Sequence, residues 1–134
     1  MNTRYDMGEH DFTYSMYPHT GAAVSGGTIE EANQLNLPAG VFAGTFADTR
    51  QIVKLSDASV QIDAVKKAED EECLIVRMHE CQGGRSSVTL TSDYPVKRFV
   101  PCNLLEHDTG EAVEENRLSL VFRPFEIKTY KMYF

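Results

Sequence analysis

Nothing in this chain constrains its fold more than the stretch Glu72 to Ser92, where two β-prone runs flank Gly83-Gly84. The run Cys73 to Cys81 is apolar enough for a central strand, and Arg85 to Ser92 leads back from the glycines. Diglycine between such runs signals a hairpin, because glycine takes positive φ without steric cost. Side chains alternate across a strand, so Leu74, Val76 and Met78 share one face, and Ile75, Arg77, His79 and Cys81 the other. In the returning run Val88 and Leu90 share a face with Ser86 and Ser92. A turn made of the two glycines alone would pair Arg77 with Leu90 and His79 with Val88, setting charge against core. One further residue pairs Met78 with Leu90, and the apolar faces agree. The expectation is a hairpin with an odd-length loop and a bulge at a glycine. Were Arg77 to point inward, it would need a buried partner and become a site candidate.

The rest of the chain also reads mainly as strands. Residues 1–9 form a polar, loose lead-in. From His10 to Tyr17 the side chains alternate, with Phe12, Tyr14 and Met16 on one side, and Pro18 ends the run. A glycine-rich loop, Gly21 to Gly27, follows. Thr28-Ile-Glu-Glu31 has the spacing of a capping box, in which the threonine hydroxyl accepts from the amide of Glu31. Ile29, Ala32 and Leu35 then share a helical face before Pro38, giving one short helix over 29–36. Residues 37–49 read as a loop.

Beyond it, Ile52 to Ser56, Val60 to Lys66, Val96 to Leu105, Leu118 to Phe122 and Phe125 to Met132 read as strands. Pro101 marks an edge strand or a bulge, and Lys66 to Glu72 an exposed connection. The sum is a mostly β chain: an antiparallel β-sandwich of about eight strands with one short helix, in a single domain over residues 1–134.

Composition narrows the function classes. At 134 residues with 42% hydrophobic side chains, the chain suffices for one core. Thirteen basic against 20 acidic side chains leave a net charge of −7, a poor match for nucleic acid or an anionic membrane. No run is long and apolar enough to span a bilayer, and the polar start does not read as a signal peptide. Cys73, Cys81 and Cys102 are odd in number and form no CxxC, so free thiols and a cytoplasmic location are expected.

Motifs for autonomous chemistry are lacking in the sequence. His10, His19, His79 and His107 form no HExxH or HxD pair. The glycine-rich loop carries neither GxGxxG nor GxxxxGK[ST], and no GxSxG occurs. The acidic residues stand in runs such as Glu69 to Glu72, as on a solvated face. Six tyrosines offer sugar platforms, but there is no tryptophan.

Five stretches, in order, resemble the C-terminal part of family 38 glycoside hydrolases, the retaining α-mannosidases. They are Gly8-Glu-His-Asp-Phe-Thr-Tyr-Ser-Met-Tyr-Pro-His19, Ala64-Val-Lys-Lys-Ala-Glu-Asp70, Leu74-Ile-Val-Arg-Met-His-Glu80 with Gly83-Gly84, Asn103-Leu-Leu-Glu106, and Pro124-Phe-Glu-Ile-Lys128. The likeness is nearest to the cytosolic and bacterial branch. It implies a terminal β-sandwich packed on a catalytic part that holds the nucleophile and the zinc, so no catalytic residue, metal ligand or cofactor is carried over to this chain. Glu9, His10 and His19, and on the central strand Arg77 and Glu80, are the candidates for contact with the catalytic domain or the substrate cleft. For each the competing reading is structural: a first strand ended by Pro18, or an inward ion pair.

Three functions follow. The first is an accessory module whose partner is the catalytic domain of the same enzyme, with an apolar patch where the two meet and association into homo-oligomers through it. The second is a stand-alone module binding mannose-containing sugar. The third, an autonomous zinc-dependent hydrolase, needs three ligands gathered by folding.

Overall fold

A computed structural model describes residues 7–45 and 49–134. Residues 1–6 of the lead-in expected over 1–9, and residues 46–48 of the loop expected over 37–49, lie outside the described residues. The chain divides into two compact units, Met1–Gly44 and Thr45–Phe134. Among the described residues one helix, α1, belongs to the first, and all strands belong to the second.

In the first unit α1 spans Thr28–Asn36, and its terminus differs from the expected one. Gly27 precedes it in the left-handed region (φ 78°, ψ 15°) and its carbonyl accepts from the Glu31 amide at 3.1 Å. Thr28 is therefore inside the first turn rather than ahead of it. Its hydroxyl makes no cap, and Oγ1 is shielded without a hydrogen-bond partner. The capping box does not form, because glycine took the cap position one residue earlier. Among the described residues of this unit, none is buried. The strand expected over His10 to Tyr17 is absent: these residues carry no secondary structure and are exposed.

The second unit is an antiparallel sandwich of two sheets. β1 (Lys54–Leu55), β4 (Ser86–Thr91) and β6 (Leu118–Phe122) form one, in the order β1-β4-β6. β2 (Val60–Lys67), β3 (Leu74–Glu80), β7 (Ile127–Tyr133) and β5 (Arg98–Cys102) form the other, in the order β2-β3-β7-β5. Among the described residues there are seven strands, in keeping with the expected sandwich of about eight, and the one expected over 10–17 is not among them.

The core lies between the sheets. β6 contributes Leu118, Leu120 and Phe122, β4 contributes Val88 and Leu90, and across from them stand Val76, Met78, Phe99 and Met132. Phe99 and Phe122 are fully buried, each stabilising the fold by about 2–3 kcal/mol. Strict alternation in β6 is what lets one face meet the core while Ser119 and Val121 face water.

The expected hairpin at Gly83-Gly84 is overturned. β3 pairs with β2 and β7, whereas β4 pairs with β1 and β6. Met78 and Leu90 do meet the same core, but from opposite sheets. The diglycine segment is thus a corner between sheets, and the bulge falls in β2, between Ile62 and Ala64. Both runs are apolar on one face whether they pair side by side or pack face to face. The pattern alone does not distinguish the two.

β5 is an edge strand, as Pro101 requires. Its outer side is covered by the following loop: Phe99 and Val113 exchange backbone bonds of 2.9 and 2.8 Å, and Thr109 N–H donates to the Pro101 carbonyl at 2.8 Å. The covered edge is closed to further strand pairing.

Candidate functional site

The five candidate residues fall into three places. Glu9 and His10 lie exposed in the irregular start of the first unit. His19 is also exposed; its ring stacks on Tyr17 (centroids 5.7 Å, 24°) and lies over Gly26, where a Cβ would come within 2.2 Å of His19 Nδ1. A shallow pocket is lined there by Tyr17, Pro18, His19, Thr20, Ser25 and Gly26. Arg77 and Glu80 are both on β3 but on opposite faces, so they form no ion pair.

Arg77 stands on the outer face of its sheet, half-buried, with a long contact of 3.4 Å from Nε to Thr129 Oγ1. Two residues on, His79 Nδ1 meets Asp63 Oδ1 at 2.7 Å. Asp63 is the residue at the β2 bulge.

Glu80 points inward and is fully buried. Four backbone amides converge on its carboxylate. Oε1 accepts from Gln82 (2.9 Å) and Gly84 (3.2 Å); Oε2 accepts from Gly83 (2.8 Å) and Phe125 (2.9 Å). The Phe125 amide acts most strongly, and with the other three it outweighs burial, so Glu80 is held below the usual carboxylate range. The geometry explains the glycine at 83. Its φ is +75°, and a Cβ there would lie 2.9 Å from Phe125 Cζ. Gly84 faces open space. Glu80 therefore acts as the post around which both the β3–β4 corner and the β6–β7 turn wind.

A second polar cluster lies on the outer face of the same sheet. The Lys131 ammonium is buried, with its side chain 5% exposed, and contacts Glu71 Oε1 at 2.5 Å and Asp108 Oδ1 at 2.7 Å. The Tyr133 hydroxyl donates to Glu71 Oε2, while the Arg98 guanidinium sits 4.2 Å above the Tyr133 ring. Asp108 and then Glu71 raise the Lys131 pKa well above its ordinary value. Lys131 in turn holds Glu71 down. Burial, then the bond to Glu71, raises Tyr133 to about 12. Cys73, Cys102, Ala68 and Ile75 pack beside the cluster, and burial pushes both thiols up, away from reactivity. None of the three cysteines forms a disulfide.

A glycosidase requires one carboxyl kept protonated near neutral pH beside one that is ionised. The carboxyls displaced from their ordinary range here, Asp57, Glu71, Glu80, Asp93, Glu106 and Glu126, all move downward. Each is held by donors; Lys66, for example, contacts Glu106 at 2.7 Å. Among the described residues, no three His, Cys, Asp or Glu side chains are grouped to hold a metal.

What the sandwich does present is apolar surface. Leu104, Leu105, Phe125 and Ile127 are large and exposed. Leu104 and Ile127 line a groove of about 400 Å³ with Pro101, Asn103, Lys128 and Tyr130. No helix among the described residues is long and apolar enough to cross a membrane.

Glu80 and Lys131 were legible only in part. Glu80 shares the parity of Leu74, Val76 and Met78, which was a signal that it faces inward. Lys131 sits between apolar and aromatic residues in the last strand, but its partners come from Glu71 and Asp108, far away in sequence.

The second unit is a two-sheet antiparallel β-sandwich with anchored charges and exposed apolar side chains. Residues 59–130 match the glycosyl hydrolases family 38 C-terminal beta sandwich domain, and the chain belongs to that family. Alpha-mannosidase G of Dictyostelium discoideum is 33% identical over 138 aligned residues, covering 94% of this chain and 12% of its own length. Alpha-mannosidase 2C1 of Mus musculus is 34% identical over 92% of this chain and 13% of its own length. An alpha-mannosidase of Saccharomyces cerevisiae is 29% identical over 96% of this chain and 14% of its own length. The chain thus spans roughly an eighth of these relatives.

Proposed function

We propose that this chain is the C-terminal accessory domain of a retaining, zinc-dependent α-mannosidase. It packs on the catalytic part, which carries the nucleophile and the metal, and borders the substrate cleft. Hydrolysis of terminal α-mannosides is then a property of the assembled enzyme. The observation that carries this reading is the family match over 59–130, joined to relatives named alpha-mannosidase of which the chain spans only 12–14%. Exposed Leu104, Leu105, Phe125 and Ile127 support it, since a module made for docking keeps apolar side chains outside its own core. The free, buried Cys73 and Cys102 suit a cytoplasmic enzyme.

The test is hydrolysis of an aryl α-mannoside by the purified chain, alone and mixed with a separately expressed catalytic part, with zinc supplied. The expected result is no turnover by the chain alone and a gain on mixing. Turnover by the chain alone sinks the reading. So does a mixture no more active than the catalytic part by itself.

A further inference from the structure

The segment Phe12-Thr-Tyr-Ser-Met-Tyr17 has the pattern of a strand without belonging to a sheet among the described residues. Phe12, Tyr14 and Met16 alternate with Thr13 and Ser15, and Pro18 ends the run. The rings of Phe12 and Tyr14 lie on one side of the backbone, centroids 6.3 Å apart and 29° from parallel. This is the side-chain arrangement of an extended strand. Yet Phe12, Tyr14 and Met16 are 82%, 85% and 91% exposed.

The unit that contains the segment has no buried residue among those described, and α1 buries none. Leu37, Val41 and Phe42 are exposed as well. A unit without a core does not hold an apolar strand face by its own packing. An uncharged window of β-prone residues, free of Gly and Pro, is also the composition that pairs with any open sheet edge. Left uncovered it is a hazard; seated in a sheet it is a ready-made docking element.

The source of the cover follows from the relatives. The yeast protein matches 96% of this chain, too much for residues 10–17 to lie outside the shared region. The same match takes in 14% of that protein, so most of the polypeptide that could cover the segment lies beyond this stretch. We infer that residues 10–17 form a strand added to the open edge of a β-sheet in the catalytic part of the longer polypeptide, with Phe12, Tyr14 and Met16 against its apolar surface. The inference rests on the accessory-domain reading and names the element that makes the attachment.

Backbone amide exchange over residues 10–17, in the chain alone and bound to the separately expressed catalytic part, tests it. The expected result is fast exchange alone and roughly 100-fold protection in the complex. Tyr14→Pro, which removes a ladder donor, and Phe12→Asp, which charges the docking face, each weaken binding by at least ~10-fold. Neither alters the thermal unfolding of the sandwich, because neither position is buried. Binding with 10–17 still unprotected overturns the strand and leaves the accessory reading standing. Absence of any binding overturns both. Protection of 10–17 in the isolated chain, with the mass of a dimer, assigns the segment to a second copy and overturns the inference.

Discussion

Glu80 and Lys131 are both buried charges on the four-stranded sheet, one on each face, and the protein neutralises them in opposite ways. Glu80 is met by four backbone amides from the β3–β4 corner and the β6–β7 turn. Lys131 is met by two carboxylates from loops, Glu71 and Asp108, whose side chains are 43% and 55% exposed. Backbone donors have no alternative: once the corner folds, they face Glu80 or nothing. Side-chain partners have one, since Glu71 and Asp108 turn to water when their cation is gone. Removing the charge therefore leaves fixed, part-buried amides short of an acceptor in one cluster and merely releases side chains in the other. Glu80 is part of the fold's framework, whereas Lys131 locks the turn carrying Glu71 to the loop carrying Asp108.

The largest effect expected from this contrast is at Glu80. Glu80→Gln keeps the shape but offers one acceptor oxygen where four amides need two, and turns its NH2 toward donors. Its thermal unfolding midpoint, followed by circular dichroism, falls by on the order of 10 °C. The pH dependence separates charge from shape. The folded pKa of Glu80 is lowered, so its stabilising contribution is present above the unfolded value and is lost as pH falls through the folded one. The gap between Glu80→Gln and the parent is full at neutral pH, begins to narrow as pH falls past the ordinary glutamate value, and closes only below the lowered folded value. A gap unchanged down to acid pH would remove the ionised carboxylate from the explanation.

A smaller effect is expected at the corner itself. Gly83→Ala places a Cβ 2.9 Å from Phe125 Cζ at a positive φ, and the midpoint falls by roughly 5 °C. Gly84→Ala enters open space and stays within about 2 °C of the parent. Equal losses at the two glycines would mean that the corner is not wound as described. Lys131→Met is milder than Glu80→Gln and Gly83→Ala: it keeps the packing stem, frees Glu71 and Asp108 to solvent, and shifts the midpoint by no more than about 3 °C. A loss matching that of Glu80→Gln would erase the distinction between backbone and side-chain neutralisation.

Five further strands were readable in the sequence: Val60–Lys67, Leu118–Phe122 and Ile127–Tyr133 lie close to the expected ends, whereas Lys54–Leu55 and Arg98–Cys102 are half the expected length or less. The runs around the diglycine were also strands, yet their pairing was misjudged. The alternation that announced a strand at 10–17 announced only a capacity, which needs an edge to pair with. At the candidate site, the inward parity of Glu80 was readable and its partners were not. Arg77, the expected ion-pair partner, stands on the opposite face, and the donors are amides, which every sequence contains.

By itself, then, the sequence determined the β character of residues 60–133, the faces of the strands and the family, and narrowed the strand with Pro101 to an edge or a bulge. These are local or periodic properties, set by side chains that lie close together along the chain. Tertiary structure alone decided that Gly83-Gly84 turns a corner between sheets, that a buried carboxylate holds the corner, and that Glu71 and Asp108 meet at Lys131. Those depend on which segments meet across the fold, and segments with the same alternation satisfy a pairing or a packing contact equally well until the whole core is closed.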